Sequence, residues 1–157
     1  MYELYKMYKT KEAMNRQKAS EVLKSLQNDG TLGLFPFHVA GSYRRGKTEG
    51  LHDVDIVIVN PLSSAKKEQI TVLGEQVDFF YCTPDELGPM YMTWTGSMEF
   101  NIMCRAKAKR MGLKFTQYGI TDLESGERKD DNTEEGILEL LNIDKKYLDP
   151  QNRSAPL

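Results

Sequence analysis

Gly41-Ser42-Tyr43-Arg44-Arg45-Gly46, then Lys47 to His52, then Asp53-Val54-Asp55-Ile56-Val57-Ile58-Val59-Asn60 is the stretch on which the fold turns. Its last third, from Val54 to Val59, is a continuous apolar and β-branched run. Such a run is expected of a strand buried on both faces. Asn60-Pro61 ends it. Asp53 and Asp55 are two residues apart, so strand alternation puts both carboxylates on one face. Two ionised carboxylates side by side repel, and burial makes the repulsion worse. A hard divalent cation such as Mg²⁺, which takes oxygen ligands, offsets that charge. Two carboxylates on one face can bridge two such ions, the arrangement used for in-line displacement at phosphorus. Upstream, the basic glycine-rich segment 41–50 is a loop or a helix start. Main-chain N–H groups there, with the Ser42 hydroxyl, suit an anion, and Arg44 and Arg45 add guanidinium donors for phosphate oxygens.

A third acid, Asp78, sits among Val77, Phe79 and Phe80 on a neighbouring predicted strand. A lone Asp in that setting is costly unless something pairs with it. A DxD pair by itself reads more readily as a turn signal, Asp78 by itself as a solvent-facing strand residue, and the arginines as solvated charge. Taken together, the apolar context, the third acid and the basic loop favour a site for a metal-bound triphosphate.

Further out, residues 11–28 carry Ala13, Met14, Ala19, Val22, Leu23 and Leu26 near helical spacing, and Asn28-Asp29-Gly30 ends the run. Residues 32–40 read as a strand despite Pro36. Residues 69–73 and 76–81 flank Gly74-Glu75 and read as a β-hairpin. After Thr83-Pro84 the composition changes. Residues 99–111 are expected to be helical and 113–120 extended, with a turn at Ser125-Gly126. Residues 133–142 read as a short helix with Thr133 as N-cap and Glu134 and Glu135 in its first turn. The expected class is a mixed α+β fold of two lobes that meet near Pro84, the first α/β and the second mixing helix with a small sheet.

At 157 residues the chain fits one ordinary domain or two small lobes sharing a core. Its 39% hydrophobic and 28% charged content is globular and excludes a disordered chain. No apolar run approaches the roughly 20 residues needed to span a bilayer. The start, Met1-Tyr2-Glu3-Leu4, lacks the apolar core of a secretion signal, so no membrane partner and a cytoplasmic location are expected. Cys82 and Cys104 sit in no CxxC pair and read as reduced thiols rather than zinc ligands or a disulfide framework. The eight methionines read mostly as gap-filling core residues. A net charge of -2 does not announce a nucleic-acid binder. Yet Arg105, Lys107, Lys109, Arg110 and Lys114 follow one another with no acid between them, while residues 122–144 are strongly acidic. The basic run reads as a face that follows a DNA backbone with salt-dependent affinity, or as an ordinary solvated face. The acidic stretch reads as solvated surface turned away from nucleic acid.

Gly-Ser, ten residues, then Asp-x-Asp on an apolar strand resembles the signature of the polymerase-beta-like nucleotidyltransferase superfamily. Thr93-Trp94-Thr95-Gly96-Ser97-Met98-Glu99-Phe100-Asn101, Arg105-Ala106, Gly112 and Gln117-Tyr118-Gly119-Ile120 are similar to the C-terminal lobe of family X DNA polymerases, and the tail from Asp144 to Arg153 resembles the end of that family. The resemblance covers roughly residues 10 to 155. It implies a palm over residues 1–84 and a thumb over 85–157. It implies that Asp53 and Asp55 ligate two Mg²⁺ ions (Mn²⁺ being the alternative) and that Asp78 ligates the one beside the primer 3′-hydroxyl. Gly41, Ser42 and Arg45 would bind the triphosphate; Thr93, Trp94 and Gly96 would line the sugar; Met98 would lie against the base and Asn101 would reach its minor-groove edge. Arg105, Lys107, Lys109 and Tyr118 would contact DNA.

The resemblance further implies a monomeric, gap-filling DNA repair polymerase acting on gapped or primer-template DNA with dNTPs, in the cytoplasm or in a viral or host compartment where DNA is repaired. A nucleotidyltransferase acting on RNA, protein or a small molecule is the alternative. Some features depart from the family pattern. No lyase or fingers region is expected before the palm, as in small viral members. The Asp55-to-Asp78 spacing is short. The arginine usual at the first palm helix is missing, with Lys9 or Lys11 as stand-ins. His52 precedes the first Asp, as a phosphate contact or a plain loop residue. Thr93 before Trp94 implies weak discrimination against ribonucleotides. Tyr2, Tyr5 and Tyr8 are expected to pack on the palm.

Overall fold

The computed structural model describes residues 12–156. Lys9, Lys11 and the three N-terminal tyrosines lie outside the described residues. The chain opens with helix α1, Arg16–Asn28, capped by the Asn15 side chain, which accepts from the Lys18 N–H at 2.9 Å. Strand β1, Phe37–Val39, and the one-turn helix α2, Gly41–Arg44, follow. Next come strands β2, Val54–Val59, β3, Lys67–Val72, and β4, Glu75–Cys82. They form one sheet in the order β1-β2-β4-β3. β2 and β4 run parallel, and the two outer pairs are antiparallel.

A 3₁₀ turn, Pro84–Glu86, leads into helix α3, Leu87–Thr95. Helix α4, Met98–Arg110, starts at Ser97, whose hydroxyl accepts from the Phe100 N–H. Strands β5, Leu113–Thr116, and β6, Gly119–Asp122, pair as a hairpin. Helix α5, Glu134–Leu140, is capped by Thr133, and two 3₁₀ turns, Lys145–Leu148 and Pro150–Arg153, end the fold. The expected mixed α+β class holds. No helix among the described residues is long and apolar enough to cross a membrane.

The core explains the unbroken apolar run in β2. Ile56 and Ile58 pack with Phe79 of β4 and with Val22 and Leu26 of α1. Val57 and Val59 point the other way, into a cluster with Phe80, Cys82 and Met90 of α3. Strand alternation carries Asp53 and Asp55 on the Val57 side and Asp78 on the Phe80 side. Asp55 stands opposite Asp78 across the parallel pair. A third cluster, containing Phe100, Ile120, Ile137, Leu141 and Tyr147, fills the C-terminal half.

Four expectations need correction. The strand expected over 32–40 contains only Phe37–Val39, preceded by turns, because Pro36 has no N–H to give a ladder. The β3–β4 turn sits at Leu73-Gly74, one residue earlier than read, and both residues have positive φ (52° and 79°) as a two-residue hairpin turn of type I′ requires. Residues 113–120 form a hairpin arm rather than one strand, with the break at Gln117-Tyr118. The acidic stretch 122–144 is only partly surface. The Asp130 side chain is fully buried, accepting from Arg128 and from the Ile120 N–H, and Glu134 is mostly buried between two arginines. Helix α3 escaped the sequence reading because Gly88 and Pro89 disguise its start, although Pro is tolerated in a first turn.

Candidate functional site

One oxygen from each of Asp53, Asp55 and Asp78 lies within 4.8 Å of the others. Asp78 is only 4% exposed. Among the described residues no Lys, Arg or His comes within 4.0 Å of any of these carboxylates. The pKa values register this lack of compensation. Burial, then the Asp53 and Asp78 charges, push Asp55 up to about 8. Burial, then Asp78, also raises Asp53. Lys67 of β3, a residue with no role in the sequence reading, pulls both back slightly from a distance. The Gln76 amide, also unanticipated, donates to Asp78. An all-oxygen, anionic donor set of this kind fits a hard divalent cation.

The basic loop sits against this cluster. The Ala40 N–H donates to the Asp55 carbonyl at 2.8 Å, which ties the start of α2 to β2. Gly41 has φ +64°, and a Cβ there would collide with the Asp55 carboxylate, so the position takes glycine for both reasons. Ser42 is half-buried beside it. Arg45 donates to the Thr95 carbonyl at 2.6 Å and to the Ser154 hydroxyl at 3.2 Å. Its guanidinium is held near Gly96, where an added Cβ would lie 3.0 Å from Nη1. Burial lowers the Arg45 pKa, and the charges of Asp55 and Glu99 draw it back up.

Arg44 behaves differently from its neighbour, and its reading as a phosphate donor needs correction. It makes two hydrogen bonds to Glu134, at 2.7 and 2.5 Å, and a third to the Thr95 hydroxyl at 2.8 Å. Its guanidinium also lies 3.7 Å over the Tyr91 ring. Glu134 in turn accepts from Arg153. The single signal in the sequence for this pairing was an acid at the start of α5.

Thr93, Trp94, Arg105, Lys114, Gln117 and Tyr118 line an open groove of about 560 Å³. The Trp94 ring stacks on Phe80, with centroids 3.7 Å apart, and its indole N–H donates to Gln117 Oε1 at 3.0 Å. The Asn101 amide donates to the Thr93 carbonyl at 2.8 Å. Met98 is 73% exposed at the start of α4, and Arg105 and Lys109 are exposed along the same helix. Lys107 does not join that row, because its ammonium donates to the Asn142 carbonyl at 3.0 Å. The structure thus brings the three carboxylates together beside Gly41, holds Arg45 against the C-terminal end of α3, and groups Thr93, Trp94, Arg105 and Tyr118 around one groove.

Comparison with known proteins agrees with this geometry. The family model described as "Nucleotidyltransferase domain" matches residues 16–101, more than half of the chain, and "DNA polymerase beta thumb" matches residues 90–154. The chain belongs to the nucleotidyltransferase family, in a form like the family X DNA polymerases. It is 38% identical over 79 residues to DNA polymerase IV of Saccharomyces cerevisiae, a match covering 50% of this chain and 13% of that protein. It is 27% identical over a 118-residue alignment to DNA polymerase/3′-5′ exonuclease PolX of Bacillus subtilis, covering 61% of this chain and 20% of the relative. The chain therefore spans a fifth or less of the length of these relatives. Its fold is similar to that of Leishmania infantum polymerase beta in a ternary P/T complex, with TM-score 0.74 and 19% identity over 95% of this chain and 79% of that one.

Proposed function

We propose that the protein is a DNA-directed DNA polymerase that fills short gaps in DNA, joining a dNTP to a primer 3′-hydroxyl. The observation that carries this is the set of three buried or half-buried carboxylates that, among the described residues, no cationic side chain pairs within 4.0 Å, next to a segment that carries Ser42 and Arg45. Asp53 and Asp55 would hold two divalent cations, Mg²⁺ or Mn²⁺, and Asp78 would hold the one nearest the primer end. When bound, such ions neutralise phosphate charge and lower the pKa of a coordinated hydroxyl. The primer 3′-oxygen attacks the α-phosphorus, the α–β bridging bond breaks, and pyrophosphate leaves. Arg45 binds the triphosphate oxygens through its remaining donors, and Gly41 gives the backbone a close approach. The groove at Trp94 takes the sugar and the templated pair, with Arg105 on its minor-groove side, where base identity is poorly displayed but pair geometry is read. Lys109 follows the backbone. Residues 1–84 then act as the palm and 85–157 as the thumb of a monomer.

The experiment is nucleotide incorporation into DNA with a one-nucleotide gap and into an RNA, a protein mixture and small hydroxylated acceptors, each with Mg²⁺. Insertion of only the complementary nucleotide into the gap supports the proposal. Untemplated transfer to one of the other acceptors, with none to the gap, replaces it with that activity. With Thr93 at the sugar-lining edge, dNTP and rNTP should differ modestly in kcat/KM, and Thr93→Tyr should raise the ratio by about ten- to two-hundred-fold.

A further inference from the structure

Gln76 stands two residues before Asp78 on β4, so both side chains leave the same face of the strand. Its amide nitrogen lies 3.1 Å from one Asp78 carboxylate oxygen and 3.3 Å from the other. An amide nitrogen only donates, so the carboxylate accepts on both sides. Among the described residues this is the one hydrogen-bond donor to Asp78, and no cation is paired with it. A buried carboxylate opposite another acid across a parallel pair has every electrostatic reason to rotate away from it. The Gln76 amide opposes that rotation.

We propose that Gln76 is a positioning residue for Asp78. It fixes the rotation of the carboxylate and leaves further lone pairs on both oxygens free, turned toward the side where Asp53 and Asp55 stand. The choice of a neutral donor matters as much as its placement. A guanidinium or ammonium at this position would cancel part of the negative field that draws a divalent cation, whereas an amide orients the ligand and leaves the field in place. Partners that orient a metal ligand in this way typically contribute about 10–100-fold in metal affinity or activity. The inference rests on the reading of Asp53, Asp55 and Asp78 as a divalent-cation site, but it can be tested without catalysis.

The test is Mn²⁺ binding to the full chain, followed by the electron paramagnetic resonance signal of the free ion. Gln76→Met keeps the volume and loses the donor, and Gln76→Asn keeps the amide but cannot reach. Both variants should bind Mn²⁺ about 10–100-fold more weakly than the wild type, with unchanged circular dichroism and unchanged Tm in EDTA. On gapped DNA both should lose kcat while KM for the dNTP stays put, a split that a merely structural residue would not produce. Wild-type Mn²⁺ affinity in either folded variant overturns the inference, as does a wild-type chain that binds no Mn²⁺. If the affinities differ as expected while no nucleotide is transferred to any DNA, the positioning role stands and the polymerase reading falls.

Discussion

Arg44 and Arg45 are neighbours in the chain, yet they face two charge clusters built on opposite principles. Arg45, held by the Thr95 carbonyl and the Ser154 hydroxyl, lies in the field of Asp55, which with Asp53 and Asp78 forms a set of three carboxylates with no paired cation among the described residues. Arg44 points into a cluster in which one carboxylate, Glu134, is gripped by two guanidinium groups. In the first cluster burial and the neighbouring carboxylate charges raise the pKa values of Asp53 and Asp55. In the second, burial also pushes the Glu134 carboxyl up, but the Arg44 hydrogen bond and the Arg153 and Arg44 charges win, and its pKa falls below the ordinary value. A compensated buried charge is complete within the protein and holds elements together: here α2, α3, α5 and the C-terminal turn. An uncompensated cluster is incomplete, and chemistry has to come from outside to finish it.

That contrast predicts opposite mutational signatures. Asp78→Asn removes a proposed metal ligand and some repulsion together, so nucleotide transfer should fall by about 10³-fold or more while the Tm in EDTA stays level or rises. Near-normal primer extension by Asp78→Asn would remove the reason to separate the two clusters. Glu134→Leu should do the reverse. It strands Arg44 and Arg153, the latter wholly buried, and should cost about 3–5 kcal/mol of stability in denaturant unfolding. Equal stability of that variant would mean the arginines find water or other partners.

The clusters should also separate along the pH axis. The folded Asp55 pKa of about 8 lies above its ordinary 3.8, so its contribution to metal-free stability is complete below about pH 4 and is lost as pH rises through about 8. Glu134 is lowered from 4.5, so its contribution is present above that value and is lost as pH falls through the folded pKa. A Tm profile in EDTA should therefore fall at both ends. Asp55→Asn should flatten only the alkaline limb and Glu134→Gln only the acid limb; a profile in which either substitution changes both limbs would show the clusters to be coupled. The smallest effect is expected at Thr95, whose buried hydroxyl accepts from Arg44 and donates to the Tyr91 carbonyl at 2.6 Å. Thr95→Val should cost about 1 kcal/mol, readable as a shift in denaturant midpoint at constant m.

The same contrast explains what could be read in the sequence. Part of the acid cluster is local: Asp53 immediately precedes β2 and Asp55 lies within it, two residues on, and Asp78 sits among apolar neighbours, so all three were marked in the sequence, while the parallel β2–β4 pairing that sets Asp78 opposite Asp55 appears only in the fold. β2 was readable to the residue for the same reason, since a strand buried on both faces leaves an unbroken apolar run. The Arg44–Glu134 pair joins positions 90 residues apart, and apart from Glu134 being an acid at a helix start nothing local marks the two as partners. Glu134 looked like an ordinary first-turn acid, which it also is. Gln76 was invisible because an amide on a strand has no characteristic neighbours until the carboxylate it faces is placed in three dimensions. The groove at Trp94 was reached through resemblance alone. The Phe80 ring that supports the indole lies on β4, where the sequence marks it only as an apolar neighbour of Asp78.

The most direct measurement is the rate of single-nucleotide insertion into one-nucleotide-gapped DNA as Mg²⁺ is titrated from EDTA upward, for the wild type and for Asp78→Asn side by side. The account predicts no insertion in EDTA, a saturable rise with Mg²⁺ for the wild type with only the complementary dNTP, and a rate on the order of 10³ lower for the variant at every concentration. Insertion that persists in EDTA, or a variant that follows the wild-type curve, would contradict it.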